Sequence, residues 1–168
     1  MHRGDTEEDM KYTIPALLLV LGASASTAAR AENWTVYQDD LSECQLAYDS
    51  DLFAEDTIDS EKFQRFSGPN KHTYFRVKAL PNEENWTPEQ IRTEYTKARG
   101  TADVVYERTK TDFLVLSGVR DKNIFYTKVA LSSDNGTICV LDISYPRKAK
   151  RAFDRIVTRM SRSFSAEN

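Results

Sequence analysis

Apolar and polar positions along this chain repeat at two spacings, and the change from one to the other marks its elements. In RKAKRAFDRIVTRMSRSF, Ala149, Phe153, Ile156, Val157, Met160 and Phe164 recur every three or four positions. That spacing predicts an amphipathic helix started by Pro146, with Arg151, Arg155, Arg159 and Arg162 on other faces. TPEQIRTEYTKARG predicts a second helix, in which Thr87 caps, Pro88 suits the first turn, Gln90 completes a capping box and Gly100 is the stop. Elsewhere the chain reads as strands rich in β-branched and aromatic residues: WTVYQ, ECQLAYDS, KFQRFS, HTYFRVKAL, DVVYERTK, DFLVLSGVR, NIFYTKVAL and TICVLDISY. Asp134-Asn135-Gly136 between the last two is a hairpin signal, and Asp121-Lys122 is a weaker corner. Three hairpin-linked strands followed by a helix predict an α+β fold, a mostly antiparallel sheet flanked by helices.

One run fits neither spacing. Ile14 to Leu21 is almost wholly aliphatic and Gly22 to Ala29 almost wholly small, with Lys11 before the run and Ala29-Arg30-Ala31 after it. A positive start, an apolar centre of about 7–15 residues and a small-x-small site define a secretory signal, which places cleavage after Ala31. A membrane anchor needs roughly 20 apolar residues, about twice what this run offers. Asp5, Glu7, Glu8 and Asp9 conflict with a positive leader, and a start at Met10 removes the conflict. The expected organisation is a signal peptide over 1–31 and one globular domain over 32–168, with no transmembrane segment in the mature chain. Residues 32–168 are enough for one ordinary core and too few for two.

Charge adds a second asymmetry. The exported part carries 20 Lys or Arg against 22 Asp or Glu, so no net field draws it to nucleic acid. Yet Glu32 to Glu61 holds ten acids and no Lys or Arg, while Arg147 to Arg162 holds seven basic residues against Asp154 alone. Alternation puts Cys139 on one face with Leu141, Ile143 and Tyr145, and Cys44 with Leu46 and Tyr48. In an exported protein two such inward cysteines form a disulfide; the other reading is two buried thiols that never meet. A bridge closing so long a loop stabilises by about 4–5 kcal/mol in the chain-entropy account.

CQLAYDSDLF is similar to an early strand-turn pattern of PsbP and Mog1-like proteins, with Asp49 where that pattern has Pro. LSGVRDKNIFYTKVAL together with ICVLDISYPRKAKRAFDRIVTRMSRSF resembles small exported proteins of alphaproteobacteria, and the likeness spans about 34–164. The resemblance implies an α/β/α sandwich around an antiparallel sheet and a binding or assembly role. It brings no catalytic residues with it.

The patterns that carry catalytic or metal chemistry are lacking in the sequence. His72 is the one histidine of the exported part, too few beside two distant cysteines for a zinc site, so no metal and no cofactor is expected. G-x-S-x-G, Walker, dinucleotide and C-x-x-C patterns are absent. DSDLFAEDTIDSE lacks the spacing and central Gly of a calcium loop. Trp34 and Trp86 both stand in Asn-Trp-Thr, and Trp86 is placed to staple against Ile91. The sequons at Asn33, Asn85 and Asn135 read as unmodified, given the bacterial resemblance.

Two functions remain. The first is a periplasmic or secreted binding or accessory protein without catalytic activity, holding an envelope protein or polymer. Its candidate anionic-partner face is Arg147, Lys148, Arg151, Arg155, Arg159 and Arg162. The bland account of that face is that cations suit a helix C-terminus and balance the acidic first third. The second function is an envelope glycan hydrolase using a carboxylate pair from the acid-rich stretch, which needs two acids about 5–10 Å apart.

Overall fold

The computed structural model describes residues 33–39, 44–98 and 103–166. The leader over 1–31, the start at Met10 and the stop at Gly100 lie outside the described residues. In chain order the strands are β1 (Trp34–Gln38), β2 (Cys44–Asp49), β3 (Ala54–Ile58), β4 (Gln64–Ser67) and β5 (Tyr74–Pro81). Helix α1 (Pro88–Ala98) follows, then β6 (Asp103–Thr109), β7 (Phe113–Arg120), β8 (Asn123–Leu131) and β9 (Thr137–Pro146). A short 3-10 turn, Arg147–Ala149, leads into α2 (Lys150–Ser163), and β10 (Ser165–Ala166) ends the described chain. The α+β expectation holds, and every strand pairing is antiparallel.

Seven strands form one sheet in the order β3-β4-β5-β9-β8-β7-β6, and β1-β2-β10 form a second. Alternate residues of β9 belong to different cores. Cys139, Leu141, Ile143 and Tyr145 pack with Phe153, Val157 and Met160 of α2 and Leu46 of β2. Ile138 and Val140 face the other way, with Ile91 of α1 and Leu114 and Leu116 of β7. The large sheet is therefore covered on both faces, by α1 on one side and by α2 with the small sheet on the other. Phe66 and Phe75 stack at 4.3 Å at the middle of the α2-side core, and Tyr37 and Phe53 meet them edge-on.

Local chemistry places the connections. Thr87 and Gln90 form the expected capping box: the Thr87 amide donates to Gln90 Oε1 at 2.8 Å, and the Gln90 amide to Thr87 Oγ1 at 3.4 Å. Trp86 packs at the rim of the core that holds Ile91. Asp121 sits at φ 56° in the two-residue corner between β7 and β8. The Asn-Gly signal lands in a longer loop than a two-residue turn, because Ser132 pairs with Thr137 through its amide, leaving 133–136 as the loop. Asp49 does by hydrogen bonding what Pro does by its ring: its carboxylate accepts from the Asp51 amide at 3.0 Å and its carbonyl from Phe53 at 3.0 Å, turning the chain.

β3 and β10 have no counterpart in the periodicity. Every residue of β3 is exposed, so this edge strand carries no inward face to betray it, and β10 is two residues directly behind a helix.

Cys44 and Cys139 form a disulfide with Cα atoms 5.7 Å apart, both fully buried. It joins β2 of the small sheet to β9 at the centre of the large one across 95 positions of sequence. Replacing both cysteines with Ser is expected to lower unfolding free energy by about 2–5 kcal/mol. Urea denaturation followed by circular dichroism reads this as a lower midpoint.

Candidate functional site

The predicted basic face lies on α2, and the packing of α2 decides where it points. Phe153, Val157 and Met160 are buried against the sheet. At about 100° per residue, Arg151, Arg155, Arg159 and Arg162 fall within an arc of about 80° on the opposite side. All four are exposed, so they form a crest along the helix. Arg147 and Lys148, also exposed, sit in the 3-10 turn at its start. The Arg159 guanidinium lies 4.0 Å over the Trp34 ring of β1, which fixes one end of the crest to the small sheet.

The bland account of this face holds only in part. Arg162 stands in the last turn, where the helix dipole favours a cation. Arg147, Lys148, Lys150 and Arg151 stand at the opposite end, where it does not. That end has no acidic residue in its first turn and no side-chain cap. Lys150 is relieved by Asp154 at 2.8 Å. Among the described residues Arg147, Lys148, Arg151 and Arg162 make no ion pair. The C-terminal carbonyls of α2 take their cation from the sheet: Lys128 of β8 donates to Ser161 O and Phe164 O, each at 2.8 Å. Burial pushes the Lys128 ammonium below its ordinary pKa, with Asp112 opposing.

Within the acid-rich stretch, Asp59 and Glu61 converge on Arg76 of β5, at 3.1 and 2.7 Å, with Asp142 of β9 joining at 3.2 Å. Asp142 also accepts from Thr127, and the Arg76 guanidinium stacks 4.1 Å over Phe63. Burial pulls the Asp59 carboxyl upward, yet bonds from the Phe63 amide, Arg76 and the Glu61 amide outweigh it and hold the group below its ordinary value. Asp56, anchored by the Thr57 amide and Ser67, is also lowered. These are carboxylates held ionised, whereas a glycosidase acid needs its proton retained. The recess beside Arg76, of about 260 Å³, includes Lys71, His72, Arg120 and Asn123. His72 itself is exposed in the turn before β5. Among the described residues no group of three or more His, Cys, Asp or Glu is arranged to hold a metal ion, and no helix is long and apolar enough to cross a membrane.

A feature beyond the basic face lies beside α2. β6 pairs with β7 regularly except at Val105, where one extra residue interrupts the register between Val104 and Tyr106. The bulge reverses the facing of the strand. Val104 packs into the α1-side core, while Tyr106 turns to the α2 side. A Cβ on Gly118 would lie 1.9 Å from Asp103 O, so only glycine lets β6 approach β7 this closely. Val105 is 74% and Tyr106 49% exposed. Together with Tyr126, Tyr145 and Val157 they line an apolar groove of about 320 Å³ between β6 and α2. The one signal for it in the sequence is Val104-Val105-Tyr106, three apolar residues in a row where an edge strand should alternate.

No family model matches the chain, and no curated protein does. Solved structures do. It is similar to cyanobacterial PsbP (CyanoP) from Synechocystis sp. PCC 6803, with 12% identity and a TM-score of 0.59 over 87% of this chain and 98% of that one. It is also similar to the Ran-binding protein Mog1p of Saccharomyces cerevisiae, with 10% identity and a TM-score of 0.54 over 80% and 95%. A Bacteroides thetaiotaomicron structure matches at 14% identity and TM-score 0.51, over 79% of this chain and 48% of that one. The chain has a PsbP/Mog1-like fold.

Tyr145 offers a titration at the groove floor. Burial, and then Asp154, push its pKa from 10.0 up to about 12. Between these values the folded state keeps a proton that the unfolded chain has lost, so stability falls as pH rises from 10 to 12. The urea midpoint is expected to fall more steeply over this range in the natural chain than in Tyr145→Phe.

Proposed function

We propose that this chain is an exported binding or accessory domain, periplasmic or secreted and without catalytic activity. It holds an anionic envelope partner, protein or polymer, on the crest of α2. The observation that carries this reading is the charge pattern of the helix. Cations occupy its N-terminal end, where each costs about 0.3–1 kcal/mol against the dipole, and those at Arg147, Lys148 and Arg151 have no carboxylate partner among the described residues. The structural account of the face leaves that end unexplained; a partner's negative charge explains it.

Export is supported by the leader-like run and by the buried Cys44–Cys139 disulfide, which persists in an oxidising compartment. A binding role is supported by Mog1p, a Ran-binding protein on the same fold, and by an acid-rich stretch whose Asp59 and Glu61 are neutralised on Arg76.

The test is the double variant Arg151→Glu with Arg162→Glu. Glu at position 151 suits the helix start and Glu at 162 opposes its end, so the two dipole effects offset and stability should stay within about 1 kcal/mol. Envelope extract passed over the immobilised disulfide-bonded chain should yield a partner that the double variant fails to retain. Equal retention by the variant rejects the crest as the binding surface.

A further inference from the structure

The crest of α2 runs beside an apolar channel, and the two together restrict what the partner can be. Viewed down α2, Asp154 and Thr158 separate the arginine crest from the groove floored by Tyr126 and Tyr145. Across the groove, beyond the bulge, Tyr106 and Arg108 of β6 face the same side of the sheet, paired with Ser117 and Val115 of β7. The groove thus has an apolar floor, an exposed aromatic on its outer wall and cations along both rims: Arg108 on one side and the α2 arginines on the other. Asp154, the carboxylate on the α2 wall, is occupied by Lys150 at 2.8 Å.

We propose that this groove binds an acidic amphipathic segment of a partner protein. Its apolar side chains cover Val105, Tyr106 and Tyr145, and its carboxylates reach Arg108 on one rim and the crest of α2 on the other. This rests on the proposed binding role of α2 and names the partner's chemistry. A polyanionic glycan matches the rims but gives the apolar floor nothing to bury, and a channel sunk between a helix and a sheet edge does not meet a flat bilayer surface. An acidic polypeptide with spaced aliphatic or aromatic residues satisfies both. Exposure singles out the same place, since Val105 and Tyr106 are two of the four large apolar residues most exposed among those described, and they are adjacent.

The test is calorimetric titration of the disulfide-bonded chain with two synthetic peptides of equal length and charge, one interspersing Glu with Leu and Phe, the other Glu with Ser. Anionic phosphatidylglycerol vesicles and heparin serve as further probes. The Leu/Phe peptide is expected to bind at least about tenfold more tightly than the Ser peptide, and Tyr106→Ser is expected to remove that advantage. Val105→Ser, at the more exposed position, is a second variant in case Tyr106 contributes to folding. Equal affinity for the two peptides, no binding of either, an advantage that survives both groove substitutions, or tighter binding to vesicles or heparin overturns the proposal. Arg151→Glu with Arg162→Glu separates the two ideas: weaker binding of both peptides supports the crest, while an unchanged affinity that still depends on Tyr106 rejects the crest and keeps the groove.

Discussion

Strand β9 has no face to spare, and the rest of the fold follows from that. From Thr137 to Leu141 each residue is buried, Cys139 and Leu141 into one core and Ile138 and Val140 into the other. A strand of this kind needs strands on both edges and a cover on both faces. β5 and β8 supply the edges over nearly its full length. α1 supplies one cover, and α2 with the small sheet supplies the other. The disulfide binds that second cover covalently: Cys139 lies on β9, and Cys44 lies on β2, against which α2 packs. Loss of the bridge would therefore loosen the small sheet and α2 together.

The parts legible in the sequence were those where one residue pattern serves one neighbour. α2 shows a single apolar stripe, β7 to β9 show continuous or alternating apolar runs, and α1 announces its start through Thr87 and Gln90. β3 was silent because all its residues face solvent. The pairing of Cys44 with Cys139 was half legible: alternation says both sulfurs point inward, but which strands adjoin is set by packing 95 positions apart. The basic crest could be read from spacing alone. The groove beside it could not, because it exists only where α2 passes the bulged edge of a sheet, and periodicity describes one element at a time. Val104-Val105-Tyr106 was the trace it left.

Charge is sorted in the same indirect way. The acid-rich first third and the basic end of the chain look like two halves of one neutralising surface. Folding sends Asp59 and Glu61 to a cation of the sheet. Asp59, Glu61 and Asp142 surround Arg76, and partial burial raises the worth of the pairings with Asp59 and Asp142. Burial works against the Arg76 charge, but Asp142, Asp59 and Glu61 outweigh it and hold its pKa above the ordinary value. Among the described residues Arg147, Lys148, Arg151 and Arg162 receive none of these carboxylates.

Cover and sheet do not match in width, and this mismatch separates a finished surface from an unfinished one. Seven strands about 4.8 Å apart span roughly 29 Å, whereas an 11-residue helix such as α1 is only about 16 Å long. The covers are offset: α1 packs on β6 and β7, α2 on β9 and β2. Each face therefore has a bare strip at the end the other cover occupies. On the α1 side the strip is polar, and its carboxylates, guanidinium and Thr127 hydroxyl bind one another. On the α2 side the strip is apolar, re-aimed by a bulge that Gly118 permits, and rimmed by cations. The charges of the polar strip pair with one another, leaving the Arg76 Nε–H as the buried group there without a partner among the described residues, while Val105 and Tyr106 exposed beside Arg108 carry a standing hydrophobic cost that a bound surface would relieve. Of the two bare strips, the α2 side is the one that burial against an apolar surface would stabilise more.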